Sequence, residues 1–186
     1  MVAVTRLLPA VLHAAQLPLT ELCVARLDGE VYAVDECFAP IDEVEDATTR
    51  ALALKALVGD NAVAERESAL WIYGVRSSPP LKHTLCVPRT NRAAPARTKR
   101  AIVRETRLRA DDTRQIGGLQ VTSPVRTAFD LLRSETFTDV ERCAIAALFE
   151  RFDVDADACR LRIDSVANLP GRTRALTRLG QLVGTG

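Results

Sequence analysis

Apolar and polar positions divide the chain into short segments of helical and strand period. From Thr5 to Gln16 the apolar residues fall at 7, 8, 11, 12 and 15, the spacing of an amphipathic helix with Pro9 in its first turn. Leu17-Pro18-Leu19 ends that pattern. Thr20–Leu27 fits a second short helix, with Leu22, Cys23 and Arg26 three and four apart, and a strand over Glu21–Arg26 fits the same residues. Asp28-Gly29 is a turn signal, and Val31–Val34 reads as a strand. Pro40–Asp46 is an acidic connector before an Ala- and Leu-rich helix over Ala47–Val58, stopped by Gly59-Asp60-Asn61. Arg66–Tyr73 is a further helix closed by Gly74, and Ser77-Ser78-Pro79-Pro80 is a loop. Lys82–Val87 and Ala101–Arg107 alternate as strands do. Pro88–Arg100 between them holds five Arg/Lys, two Pro and no large apolar residue, which predicts an exposed basic loop or hairpin arm. Asp111-Asp112 caps a turn before a strand at Gln115-Ile116, and helices are expected to about Arg133 and over Asp139–Phe152, Asp157–Ile163 and Arg172–Val183.

The densest signal is the run Gly117 to Asp130. Gly117-Gly118 is a two-residue turn, Leu119-Gln120-Val121 alternates, Ser123 is a good N-cap, and Pro124 falls at the first helical position. Arg126 then stands in the first turn, at the unfavourable end of the helix dipole. Asp130, four residues on, shares its face. A charge pair held against Val125, Phe129, Leu131 and Leu132 predicts a partly buried network that fixes geometry, with an ordinary surface ion pair as the plainer alternative.

At 186 residues the chain can build one good core or two small ones. Aromatics are only 4% of residues, so the core rests on Leu, Val and Ala. The net charge of +1 conceals a strong asymmetry. Residues 1–75 carry five Lys/Arg against twelve Asp/Glu, residues 76–114 eleven against three, and residues 115–186 nine of each. Eight of the acids lie between Asp28 and Asp46 with no base among them. The acidic and basic parts are thus able to attract each other, within one chain or between two copies as a homodimer, or to serve as separate binding surfaces. The five Cys are odd in number and lack C-x-x-C spacing, which predicts reduced, buried thiols in a cytoplasmic protein. No run of 18 apolar residues is present, and no membrane partner is expected. Arg6–Leu22 imitates a signal peptide faintly, but His13, Gln16 and the two prolines favour a helix there.

Catalytic signals are weak. His13 and His83 lie in no nucleophile motif, and neither a P-loop nor a G-x-G-x-x-G loop occurs. His83 and Cys86 fall on opposite faces of a strand, so they are not read as metal ligands. Asp153-x-Asp155-x-Asp157 with Asp164 imitates a calcium loop but has Ala158 where the turn needs Gly and Asp in place of the last bidentate Glu. No enzyme activity, cofactor or metal is expected. Nucleic-acid binding has better support: Arg89, Arg92, Arg97, Lys99 and Arg100 lie within twelve residues, and Arg104 extends the stripe along the next strand. A solvated, Arg-rich loop explains the same residues equally well, since no aromatic residue is interleaved for base stacking.

The run from Gly118 resembles the strand-to-helix motif of actinobacterial antitoxins of the type IV AbiEi family, through Gly118, Val121, Thr122, Ser123, Pro124, Arg126, Thr127 and Asp130. Upstream, Val63–Gly74 resembles a helix of that family, and Gly29–Val34 its wing strand. The likeness spans about residues 15–135. It implies an α+β fold: a small, reduced winged-helix-like part over 1–40, then an antitoxin domain over 41–186 with a mixed sheet and C-terminal helices. It also implies operator DNA and a nucleotidyltransferase-type toxin as partners, and repression of the protein's own operon. Gly118, Thr122, Ser123, Pro124, Arg126, Thr127 and Asp130 are then the structural heart of that domain, and not catalytic. The first 40 residues are too acidic to suit DNA, with Glu21, Asp28, Glu30, Asp35 and Glu36 where a recognition helix and wing would lie. The basic loop is the better candidate for contact.

Overall fold

The computed structural model describes residues 8–89 and 98–184 and has an α+β fold. Helix α1 (Leu19–Leu27) leads into a hairpin of β1 (Val31–Val34) and β2 (Cys37–Pro40). Helix α2 (Ala47–Val58), the two-residue strand β3 (Val63–Ala64) and helix α3 (Arg66–Ile72) follow. Strands β4 (His83–Pro88), β5 (Ala101–Thr106), β6 (Thr113–Ile116) and β7 (Leu119–Thr122) complete the sheet, with a short 3-10 turn at Ala110–Asp112. Four helices end the described chain: α4 (Pro124–Leu132), α5 (Asp139–Phe152), α6 (Ala156–Asp164) and α7 (Arg172–Val183).

The main sheet has the order β5-β4-β3-β7-β6 and is mixed. Strands β4 and β5 run parallel, as do β3 and β7, while β3–β4 and β6–β7 are antiparallel. Leu85 and Cys86 of β4 are fully enclosed, whereas β5 is an edge that leaves Ile102 and Val103 exposed. Leu54 and Val58 from α2, Leu70, Trp71 and Ile72 from α3, and Leu132, Ile145, Leu148, Ile163 and Leu179 from the later helices form one continuous core with the sheet. Val11, Val34, Cys37 and Ala39 join that core. Leu12, Leu22, Val31 and Phe38 form a small satellite on the other side of the hairpin.

Local chemistry explains most boundaries. Asp46 caps α2 by accepting from Thr49 N at 2.9 Å, and Thr138 and Glu141 form a capping box on α5. Arg50 closes the far end of α3 by donating to the Trp71 and Arg76 carbonyls. Between β6 and β7 both glycines have positive φ. A Cβ on Gly117 would meet the Thr48 carbonyl oxygen at 2.8 Å, so Gly117→Ala is expected to cost at least about 1–2 kcal/mol, read as a lower thermal midpoint. A Cβ on Gly118 would meet only the movable Lys55 ammonium.

The structure corrects two expectations and adds one strand. The described part of the segment Thr5–Gln16 is not helical: Leu12 instead exchanges backbone hydrogen bonds with Phe38, and His13–Gln16 form a turn. Pairing with the hairpin buries Leu12 among Leu22, Val31 and Phe38. Residues 37–40, next to the acidic connector, form β2, because Cys37-Phe38-Ala39 is an apolar run buried on both faces. Of the five thiols, Cys23 and Cys143 are exposed; burial pushes the pKa of Cys37 up to about 11 and that of Cys159 up to about 12.

Candidate functional site

The corner between β7 and α4 is built from the backbone outward. Ser123 sits just before Pro124, accepts from Arg126 N at 3.4 Å, and donates its own N–H to the Asp112 carbonyl at 2.8 Å. Thr122 and Thr127 hydroxyls lie 2.8 Å apart, and Tyr73 donates its hydroxyl to the Thr122 carbonyl at 2.7 Å. Ser123, Arg126, Thr127 and Asp130 are all buried. The structure brings Thr122, Ser123, Pro124, Arg126, Thr127 and Asp130 together at this one junction, with Gly118 at the turn that feeds it.

Around Arg126 lies a buried ionic network. Its Nε donates to Asp130 Oδ2 at 2.7 Å and its Nη1 to Asp112 Oδ2 at 2.6 Å. Nη1 also reaches the Arg107 carbonyl at 3.1 Å, and Nη2 the Thr106 hydroxyl at 3.3 Å. Asp112 in turn receives Arg162 Nη2 at 2.8 Å and the Arg109 backbone N–H at 2.8 Å. Arg104 forms a bidentate pair with Glu65, at 2.6 and 2.7 Å, and lies 3.3 Å from Asp130 Oδ1. The Phe129 ring has the guanidinium carbons of Arg126, Arg133 and Arg162 at 5.5, 4.8 and 5.1 Å from its centroid. Burial disfavours the charge on Arg126, but Asp130 and Asp112 outweigh it and raise the pKa. Arg133 goes the other way: burial, reinforced by Arg104, Arg126 and Arg66 and opposed by Asp130, lowers its pKa.

Helical spacing accounts for just two pairs in this network, Arg126–Asp130 at i, i+4, predicted from the sequence, and Arg133–Asp130 at i, i+3. Glu65, Arg104, Asp112 and Arg162 come from 39 to 50 residues apart along their contacts, and no local pattern announces them.

The basic residues proposed for nucleic acid separate into groups. Arg92 and Arg97 lie outside the described residues. Arg89 is exposed at the end of β4, and Lys99 is exposed before the start of β5. Because β4 and β5 are parallel, these two stand beyond opposite ends of the paired strands, more than about 17 Å apart along them. Two members of the set are engaged elsewhere. Arg100 pairs with Asp35 at 2.6 Å and with Glu36 at 3.4 Å, and Arg104 is committed to Glu65 and Asp130. Their guanidiniums neutralise carboxylates of the fold and are not free cations for phosphate. The acidic and basic parts of the chain thus meet within one molecule at Arg100.

Sequence reasoning missed a second cluster. His83 contacts Ser68 Oγ through Nδ1 at 3.0 Å and Asp35 Oδ2 through Nε2 at 2.9 Å. The residue types match a serine-hydrolase triad, but Ser68 and His83 are fully buried, Asp35 is 3% exposed at its side chain, and Ser68 Oγ already accepts from Thr84 N at 2.9 Å. The cluster fastens the N-terminal hairpin to β4, with no room for a substrate carbonyl. Burial raises the Asp35 pKa, yet the hydrogen bonds and charges of His83 and Arg100 hold it below its ordinary value. A depressed carboxylate contributes stability above its unfolded pKa of about 3.9 and loses it as pH falls through the lower folded value. Acid titration below pH 4 is therefore expected to destabilise the wild type by more than Asp35→Asn, monitored by near-UV circular dichroism.

Among the described residues no group of three His, Cys, Asp or Glu side chains could hold a metal ion. Asp155, from the calcium-like run, caps α6 through Asp157 N at 2.9 Å, and Asp164 pairs with Arg172 at 2.6 Å. Among the described residues no helix is long and apolar enough to cross a membrane.

A mixed sheet whose inner strand turns into an arginine-anchored helix defines this domain. Residues 61–185 match the family model described as the AbiEi antitoxin C-terminal domain, and the chain belongs to the AbiEi antitoxin family. In shape the chain is similar to the crystal structure of the RV2827C protein from Mycobacterium tuberculosis, at 15% identity and a TM-score of 0.49, covering 95% of this chain and 72% of that one. A search of curated proteins gives no match.

Proposed function

We propose that this chain is the antitoxin of a type IV toxin–antitoxin pair, a non-enzymatic cytoplasmic regulator that counteracts a nucleotidyltransferase-type toxin and binds operator DNA to repress its own operon. Family membership over residues 61–185 carries this reading. The matched region contains both the buried corner and the basic stretch. DNA contact is assigned to Arg89, Arg92, Arg97 and Lys99, with exposed Arg107 and Arg109 extending the basic surface at the Arg89 end. The N-terminal helix and hairpin suit DNA poorly, since they present Glu21, Asp28, Glu30 and Glu36 on their exposed surface.

A gel-shift titration with the DNA upstream of the gene tests this assignment. Binding is expected to weaken steeply with salt, by a slope of about 0.9 per phosphate neutralised. The triple reversal Arg89→Glu, Arg92→Glu, Arg97→Glu is expected to abolish it. Unchanged binding by that variant would overturn the loop assignment. Co-expression with a nucleotidyltransferase-type toxin of this system type tests the antitoxin role: growth is restored if it holds, and arrest persists if it does not.

A further inference from the structure

We propose that the arginine-lined cavity beside the corner binds a phosphorylated small molecule of mononucleotide size. The cavity measures about 550 Å³, within the range that encloses such ligands. Its walls are the end of β5 with the connection after it (Thr106–Arg109) and the connection from α6 to α7 (Ser165–Pro170), and its base is Arg126 and Phe129 of α4, Arg133 just past that helix, and Arg162 of α6.

Charge gives the ligand its sign. Arg107, Arg109, Arg126, Arg133 and Arg162 line the cavity, and no lining residue is a carboxylate. The nearby network sets four guanidiniums, Arg104, Arg126, Arg133 and Arg162, against three carboxylates, Glu65, Asp112 and Asp130. Among the described residues Arg107 and Arg109 make no ion pair, so positive charge is left in excess at the cavity. One buried donor is also idle. The Arg162 side chain is 10% exposed, and its Nη1 has no hydrogen-bond partner. Guanidinium forks match the oxygens of a phosphate, and a dianion at this place would offset the repulsion that Arg133 feels from Arg104 and Arg126.

Shape gives the ligand its size and body. Inorganic phosphate alone would leave most of the volume empty. Leu108, Val166, Leu169 and Pro170 supply an apolar wall beside the arginines, suited to a base or another flat apolar group. The guanidiniums of Arg126 and Arg162 are recessed, at 4% and 10% side-chain exposure, and are held by Asp112 and Asp130, so the charge available to a phosphate is that of Arg107, Arg109 and Arg133, joined by the unpartnered Nη1 of Arg162. This inference shares Arg107 and Arg109 with the operator reading but does not depend on it, and its test contains no DNA.

Calorimetric titration of the full chain with inorganic phosphate, AMP, GMP and the matching nucleosides tests it. At least one nucleotide is expected to bind about tenfold or more tighter than both inorganic phosphate and its own nucleoside, the difference that one charge-assisted hydrogen bond makes. Arg109→Gln, a surface change that spares the fold, and Arg133→Gln are each expected to weaken nucleotide binding about tenfold. Arg160→Gln, exposed and outside the cavity, is expected to leave it unchanged. No binding at about 10 mM ligand, equal binding of nucleotide and nucleoside or of nucleotide and phosphate, or indifference to Arg109→Gln in a protein with native circular dichroism would each overturn the proposal.

Discussion

Replacing Arg126 by Met is expected to destabilise the protein by about 3–5 kcal/mol in urea unfolding. The magnitude follows from what is left behind. Asp130 is 1% exposed and Asp112 2%, and each loses its shortest charged partner. Asp130 keeps Arg104 and Arg133, and Asp112 keeps Arg162, but a buried carboxylate that loses its shortest charge-assisted bond pays a desolvation cost that a well-packed Met cannot return. Arg126→Lys is expected to recover only part of the loss. A single ammonium cannot serve Asp130, Asp112, the Arg107 carbonyl and Thr106 at the angles the guanidinium fork provides. Since the Arg126 pKa is raised above an already high value, this contribution does not vary with pH through loss of its own proton.

Phe129→Ala is expected to cost about 3–5 kcal/mol, the second large effect. The ring is 2% exposed and belongs to the main core, so truncation opens a cavity. It also removes the surface over which three guanidiniums are arranged. Phe129→Leu separates the two contributions. It keeps much of the volume, so a loss beyond about 1.5 kcal/mol would measure the ring's part in holding the arginines. Equilibrium unfolding of both variants, with unchanged denaturant slope, provides the comparison.

These two residues show how far the chain could be read before its fold was known. The helices at Ala47–Val58, Asp139–Phe152 and Arg172–Val183 were legible to the residue, because caps and apolar spacing are local properties. Ser123-Pro124 announced α4 for the same reason, and the i, i+4 spacing exposed the Arg126–Asp130 pair. What was hidden depends on distant chain segments meeting. Strand β3 is two residues long and exists only because β4 and β7 flank it. Leu12 pairs with Phe38 rather than winding into a helix. Glu65 stands at the N-cap of α3 but makes no side-chain cap there, and its carboxylate turns to Arg104. Ser68, His83 and Asp35 converge from three elements with no shared motif. The basic stripe was visible as composition, whereas the engagement of Arg100 and Arg104 by acids was not.

A double-mutant cycle on Arg126 and Asp130 reaches the claim that a buried corner organises this domain. Arg126→Met, Asp130→Asn and the double variant would be compared by urea unfolding under one set of conditions. The pair is expected to show a coupling of about 1.5–3 kcal/mol, with the double variant less damaged than the sum of the singles. Additive losses, with coupling below about 0.5 kcal/mol, would show that the two side chains act independently and that the corner is not held by them.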